Sequence, residues 1–305
     1  AGYENIYYSG VSRTAIDDIL PTNKVNFVQS AKIGMGKTSD FMGPELGIAK
    51  ALSAYYNGTA GNEAAIIKYG AAVVMYQQYG ETMEVVREVC RDMSAELYVP
   101  DFDDINVEFD SIDGQVFSYD GASYAIPLLG EHQLHNAATV LEAVNVLREQ
   151  GWDIDDEAVE AGLYSVTWPA RFEILHTDDP WFVLDGGHNP QCAAALKECI
   201  EHYFPDKKRV ALVGVLKDKD YKAIADTLAP LFDACVCVTP DSERALPAEE
   251  LGGLFRDSCR EVCIADTVED GVDLARDIAQ EQDAMVCAFG SLYICGQIRA
   301  CFGLK

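Results

Sequence analysis

Two short stretches of this sequence carry the residue types that phosphate and acyl chemistry need. The first, Gly34-Met35-Gly36-Lys37-Thr38-Ser39, follows a strand-like run at 24–30. Glycines let backbone amides close around phosphate oxygens, a lysine at this spacing supplies positive charge, and a hydroxyl reaches Mg²⁺. Ala31 stands where the longer form of such a loop has its first glycine. The competing reading is therefore a glycine turn with a surface lysine. The second stretch is Asp185-Gly186-Gly187-His188-Asn189-Pro190, directly after an apolar run. Asn189 and Pro190 are explained as the cap and first residue of a helix. Asp185 and His188 are not, and two polar groups beside two glycines at a strand's carboxyl end are where open parallel sheets bind ligands.

Three further places could join them. Gly214-Val215-Leu216-Lys217-Asp218-Lys219-Asp220 brings mixed charges to the end of the next apolar run, although charged loops are often only solvated. Ser291, after Phe289-Gly290, is either a ligand group or a helix cap. Arg171, beside Trp168-Pro169, either clamps an anion or pairs with Glu173.

The elements that would position these residues are clearest in the back half. Near-continuous apolar runs at 181–185, 209–216, 234–239, 262–265 and 284–289 alternate with helical patterns at 190–203, 221–232, 247–257, 268–281 and 292–302. Runs apolar on both faces predict strands covered on both sides, and strict alternation predicts a parallel, Rossmann-like sheet. In the front half a helix should follow the glycine loop, but Gly43-Pro44 stops it within two turns. Residues 97–128 predict short antiparallel strands with a turn at Asp113-Gly114, and 132–150 predicts a long helix ended by Gly151. The expectation is an α/β chain with an incomplete P-loop ATPase-like domain at 1–169, a Rossmann-like domain at 170–305 and a hinge near Thr167-Trp168-Pro169-Ala170.

A chain of 305 residues, 49% hydrophobic, can bury a sizeable core. Its formal charge of −27 argues against nucleic-acid or anionic-membrane partners, because nonspecific binding to polyanions needs a basic surface. Four of its ten cysteines fall in predicted strands (Cys235, Cys237, Cys263, Cys287), no pair has CxxC spacing, and free thiols in a reducing cytosol are expected. With no basic-then-apolar start and no apolar stretch of spanning length, the expected location is cytoplasmic.

In order along the chain, Leu129-Gly130-x-His132-Gln133-x-x-Asn136-Ala137, Trp168-Pro169-Ala170-Arg171-Phe172-Glu173, Leu184-Asp185-Gly186-Gly187-His188-Asn189-Pro190, Asp218-Lys219-Asp220 and Gly290-Ser291-Leu292-Tyr293 are collinear motifs. Together they resemble the folylpolyglutamate synthase and dihydrofolate synthase family, relatives of the Mur ligases. The resemblance runs from about Ile66 to the C-terminus. It implies a monomeric ATP- and Mg²⁺-dependent ligase that phosphorylates the glutamyl carboxylate of folate, or of dihydropteroate, and lets L-glutamate attack the acyl phosphate. It implies catalytic roles for Lys37, Asp185 and His188, and nucleotide contacts from Gly34, Gly36, Lys37, Thr38, Ser39, Asn136, Arg171, Asp185 and His188. It further implies glutamate contact from Ser291 and metal contact from Thr38 and Glu63.

The sequence departs from the family pattern in front. Only residues 40–61 separate the glycine loop from the segment beginning at Asn62, and Glu63 stands where the pattern has a lysine that is carbamylated. Two alternatives follow: a Mur-type ligase acting on a cell-wall precursor, to which the Gly-Lys-Thr-Ser form leans, and a catalytically inactive ligand-binding relative.

Overall fold

The computed structural model of the chain describes residues 25–27, 67–78 and 80–304. The chain divides into two compact units, one built from residues up to 165 and the other chiefly from Val166–Lys305, which also includes Ser111–Gly114 and Pro127–Gly130.

In the first unit, β1 (Val25–Phe27), β2 (Ala72–Val74) and β3 (Glu96–Tyr98) form a parallel sheet in that order. Helix α1 (Glu81–Asp92) joins β2 to β3 and packs Val86, Val89 and Cys90 on Val73 and Met75. A second sheet contains β4 (Asn106–Ser111), β5 (Gly114–Tyr119) and β6 (Ala122–Ile126), with β5 and β6 antiparallel. The expected long helix is α2 (Glu131–Glu149). It ends because Gly151 takes φ 93°, so that its amide and that of Trp152 satisfy the carbonyls of Arg148 and Leu147. Helix α3 (Asp156–Ser165) contributes Leu163 to the core beneath β5 and α2.

The second unit contains β7 (Glu173–His176), β8 (Phe182–Leu184), β9 (Lys208–Val213), β10 (Ala234–Cys237), β11 (Glu261–Ile264) and β12 (Ala284–Phe289), ordered β11-β10-β9-β12-β8-β7. All neighbours are parallel except the edge pair β7 and β8. Alternation explains the apolar runs. Ala211, Val213, Cys235, Cys237, Met285, Cys287 and Phe289 face one core with α4 (Pro190–Tyr203), α5 (Tyr221–Leu228) and α6 (Ala248–Phe255). Val210, Leu212, Ala234, Val236, Ala284, Val286 and Ala288 face the other, with α7 (Val268–Gln282) and α8 (Leu292–Cys301). Each fully buried Val, Leu or Phe contributes roughly 1.5–3 kcal/mol, so both faces had to be apolar. All ten cysteines are free, and four of them, Cys235, Cys237, Cys263 and Cys287, lie in strands.

The order of strands creates a crevice. The chain steps from β8 to β9, β10 and β11 by way of α4, α5 and α6 on one face, then returns through α7 on the other to insert β12 between β9 and β8. Helices leaving β12 and its two neighbours therefore depart to opposite faces, and the loops at their carboxyl ends separate.

Candidate functional site

The second unit brings Arg171, Asp185, His188 and Ser291 to this crevice. Asp185 follows the last residue of β8, its amide bound to Ala288 O at 2.8 Å. Its carboxylate does local work: Oδ1 accepts the Gly187 amide at 2.6 Å and Oδ2 the Phe172 amide at 2.9 Å. Gly186 N donates to Ala170 O at 2.8 Å. These bonds hold 170–172 against the Asp185 turn, with Ala170 and Phe172 at φ 56° and 42°. Positive φ is unfavourable for side chains with a Cβ, and it persists here because the surrounding bonds impose it.

Both glycines sit where an added Cβ would come into close approach. A Cβ on Gly187 would lie 2.6 Å from Asp185 Oδ1 and 2.8 Å from Cys192 Cβ, and one on Gly186 would meet Leu292 Cδ2 at 2.3 Å. Asn189 caps α4 by accepting the Cys192 amide at 2.8 Å, with Pro190 in the first turn. His188 Nδ1 lies 3.0 Å from Gly186 O. A carbonyl cannot donate, so Nδ1 carries the proton and Nε2 is the acceptor nitrogen. Burial, followed by the nearby cations of Lys219 and Arg171, lowers the His188 pKa from its usual 6.5.

Arg171 does not pair with Glu173. Its guanidinium lies 5.6 Å from the centroid of the Trp168 ring, while Glu173 binds Arg299 and accepts the Ala170 amide at 2.7 Å. Among the described residues neither Arg171 nor Lys219 has an ion pair. In a chain of charge −27, two such cations beside a neutral imidazole form a local site for an anion. Lys219 was only part of a charged loop in sequence; its nearness to His188 depends on β8 and β9 flanking β12.

Ser291 is buried and caps α8, its Oγ accepting the Tyr293 amide at 3.2 Å. The capping alternative thus accounts for one of its lone pairs. Asn136 lies on α2 in the first unit, where its Nδ2 donates to Gln133 Oε1 at 3.1 Å, and Gln133 Nε2 lies 3.1 Å from His132 Nε2. In the same turns His135 stacks on Phe102 at 4.1 Å and shares a 3.0 Å hydrogen bond with the Tyr76 hydroxyl. Gly34, Gly36, Lys37, Thr38, Ser39 and Glu63 lie outside the described residues. Among the described residues, no group of three or more His, Cys, Asp or Glu side chains is arranged to hold a metal ion. No described helix is long and apolar enough to cross a membrane.

Residues 170–292 match the family described as Mur ligase, glutamate ligase domain. Over 283 residues the chain is 31% identical to the dihydrofolate synthase/folylpolyglutamate synthase of Mycobacterium tuberculosis, covering 83% of this chain and 57% of that protein. It is 32% identical over 199 residues to the folylpolyglutamate synthase of Lacticaseibacillus casei, covering 61% and 43% respectively. Among solved structures, Mycobacterium tuberculosis folylpolyglutamate synthase complexed with ADP and AMPPCP superposes with a TM-score of 0.72 at 28% identity, covering 87% of this chain and 61% of that one. The chain thus spans about half the length of the curated relatives it matches.

Proposed function

We propose, for a chain that belongs to the folylpolyglutamate synthase and dihydrofolate synthase family of Mur-type ligases, that the protein carrying it is an ADP-forming ligase. It adds L-glutamate to the glutamyl carboxylate of folate, and dihydropteroate is the second acceptor to be tried. The observation that carries this reading is the Asp185 turn. Its two amide bonds hold the segment carrying Arg171 against the turn that carries His188, and Lys219 reaches the same imidazole from the loop between β9 and α5, at the carboxyl ends of the parallel strands.

ATP, when bound, supplies the phosphoryl group that gives an unreactive carboxylate a leaving group, and a divalent ion offsets the charge that accumulates. Arg171 and Lys219 fit an anionic ligand of this kind, since their charge is not consumed by an ion pair among the described residues. Asp185 keeps the turn in place, and His188 offers Nε2 as a neutral acceptor beside the two cations. Ser291 and the first turn of α8 form the wall assigned to the incoming amino acid. Asn136 is assigned to the nucleotide from the first unit. Lys37 with Gly34, Gly36, Thr38 and Ser39 is assigned to the phosphates, and Thr38 with Glu63 to the metal. A monomer in the cytoplasm, without nucleic-acid or membrane partners, completes the proposal.

The test is ADP release by the full-length protein. Release should require both a folate acceptor and L-glutamate. Turnover with a UDP-sugar peptide instead would move the protein to the cell-wall branch. Binding of MgATP with no ADP release under either condition would mark an inactive relative.

A further inference from the structure

Three loops at the carboxyl ends of neighbouring strands in the second unit are laced together by one side chain. Arg244 lies between β10 and α6. Its Nη1 donates to Asp218 Oδ2 at 2.9 Å, in the loop between β9 and α5. Its Nη2 donates to the Tyr293 hydroxyl at 3.3 Å, in the first turn of α8, and its guanidinium lies 5.9 Å from the centroid of that ring. Backbone bonds complete the strap: Lys217 N donates to Arg244 O at 2.8 Å, Lys217 Nζ to Glu243 O at 3.1 Å, and Leu216 and Ala245 form an antiparallel bridge. A planar guanidinium can serve a carboxylate, a hydroxyl and a ring face together, whereas an ammonium is a single point charge.

The same loops carry the candidate site. Lys219 adjoins Asp218, and Ser291 caps the turn in which Tyr293 sits. Asp218 neutralises Arg244, which sets it apart from Arg171 and Lys219 as a cation whose charge is already used inside the protein. We infer that Arg244 is a positioning residue for the ligase reaction: by tying Asp218 to Tyr293 it holds Lys219 and the Ser291 turn in place around His188, without itself touching a substrate.

Magnitudes separate this role from simple stabilisation. The Arg244 and Asp218 side chains are 34% and 37% exposed, and ion pairs so placed in solvent add little to stability. Displacement of reacting groups by ~1 Å can nevertheless cost ~100-fold in rate.

The inference rests on the ligase reading, so wild-type turnover is measured beside the variants Arg244→Ala, Arg244→Lys, Asp218→Ala and the Asp218→Ala/Arg244→Ala pair in the full-length protein. Arg244→Ala should lower kcat about tenfold or more with a melting temperature within ~3 °C of wild type. Arg244→Lys, which cannot span both partners, should recover little. The pair should be no slower than Arg244→Ala alone, because both changes cut the same strap. Unchanged kcat, fully multiplicative losses, or a kcat loss matched by loss of folded protein would overturn the positioning role while leaving the ligase reading intact. Absence of wild-type turnover would remove both.

Discussion

Asp185 Oδ2 accepts the amide of Phe172 at 2.9 Å, and that amide belongs to a residue held at φ 42°. A carboxylate at the end of β8 therefore sets the backbone that carries Arg171, one residue earlier. Asp185→Asn replaces one of its two acceptor oxygens by a donor facing an amide. Hydrogen bonds to charged groups are worth about 1.5–3 kcal/mol, so a comparable loss of unfolding free energy is expected in urea titrations. Nucleotide affinity should fall with it, since Arg171 is released. Full stability in the variant would show that the turn does not depend on Asp185.

Glycines of this rim differ in what an added methyl would meet. At Gly290, φ is 110° and a Cβ would lie 2.7 Å from Gly214 O, a backbone atom that cannot move aside. At Gly186 the obstacle is the Leu292 side-chain tip, and Leu292 is 54% exposed. Gly290→Ala should cost about 2 kcal/mol or more, and Gly186→Ala clearly less, because Leu292 can rotate outward. Equal denaturant midpoints for the two variants would contradict this ordering.

How far sequence reaches into this structure depends on whether a residue's role is local. The run at 284–289 reads as a strand because β12 is buried on both faces, and α4 is bounded at its start by an Asn189 cap and Pro190. Strand β7 escapes, since Glu-Ile-Leu-His at an antiparallel edge is half-buried throughout and broken in register between Ile174 and His176. Helix α1 escapes too, its N-cap being Gly80 with no side-chain cap bond. Asp185 and His188 stand out by their position after an apolar run. Arg244 does not, because its partners lie 26 and 49 residues away. Arg171 and Glu173 look like a local pair, yet Glu173 binds Arg299, 126 residues on.

Two imidazoles give stability a pH dependence whose sign is determined. Burial lowers the pKa values of His188 and His135 from 6.5. Between those lower values and 6.5 the unfolded chain binds more protons than the folded one, so stability rises with pH across this window and is lost as the pH falls through it. The urea midpoint should be lower at pH 5.5 than at pH 7.5, and His135→Phe, which keeps a ring against Phe102, should flatten part of that slope. An unchanged slope in the variant would remove His135 from the account.

Charge repulsion gives the last expectation. The chain has 50 acidic and 23 basic residues, and on α7 Glu269, Asp273, Asp277 and Glu281 recur every fourth residue, all exposed. Like charges at this spacing destabilise a helix by roughly 0.2–0.5 kcal/mol per pair. Glu281 also places negative charge in the last turn, where the helix dipole disfavours it. Glu281→Lys reverses both effects, since an acid four residues before a lysine is the favourable orientation. It should raise unfolding free energy by about 0.5–1 kcal/mol in 0.05 M NaCl. NaCl is preferred to sulfate, which would strengthen apolar burial in its own right. Raising NaCl to 0.5 M should stabilise the wild type more than the variant, because the Debye length shrinks from above 10 Å to about 4 Å and screens the repulsion that the substitution has already relieved. A gain that grows with salt would show that repulsion along this helix is not what the substitution changes.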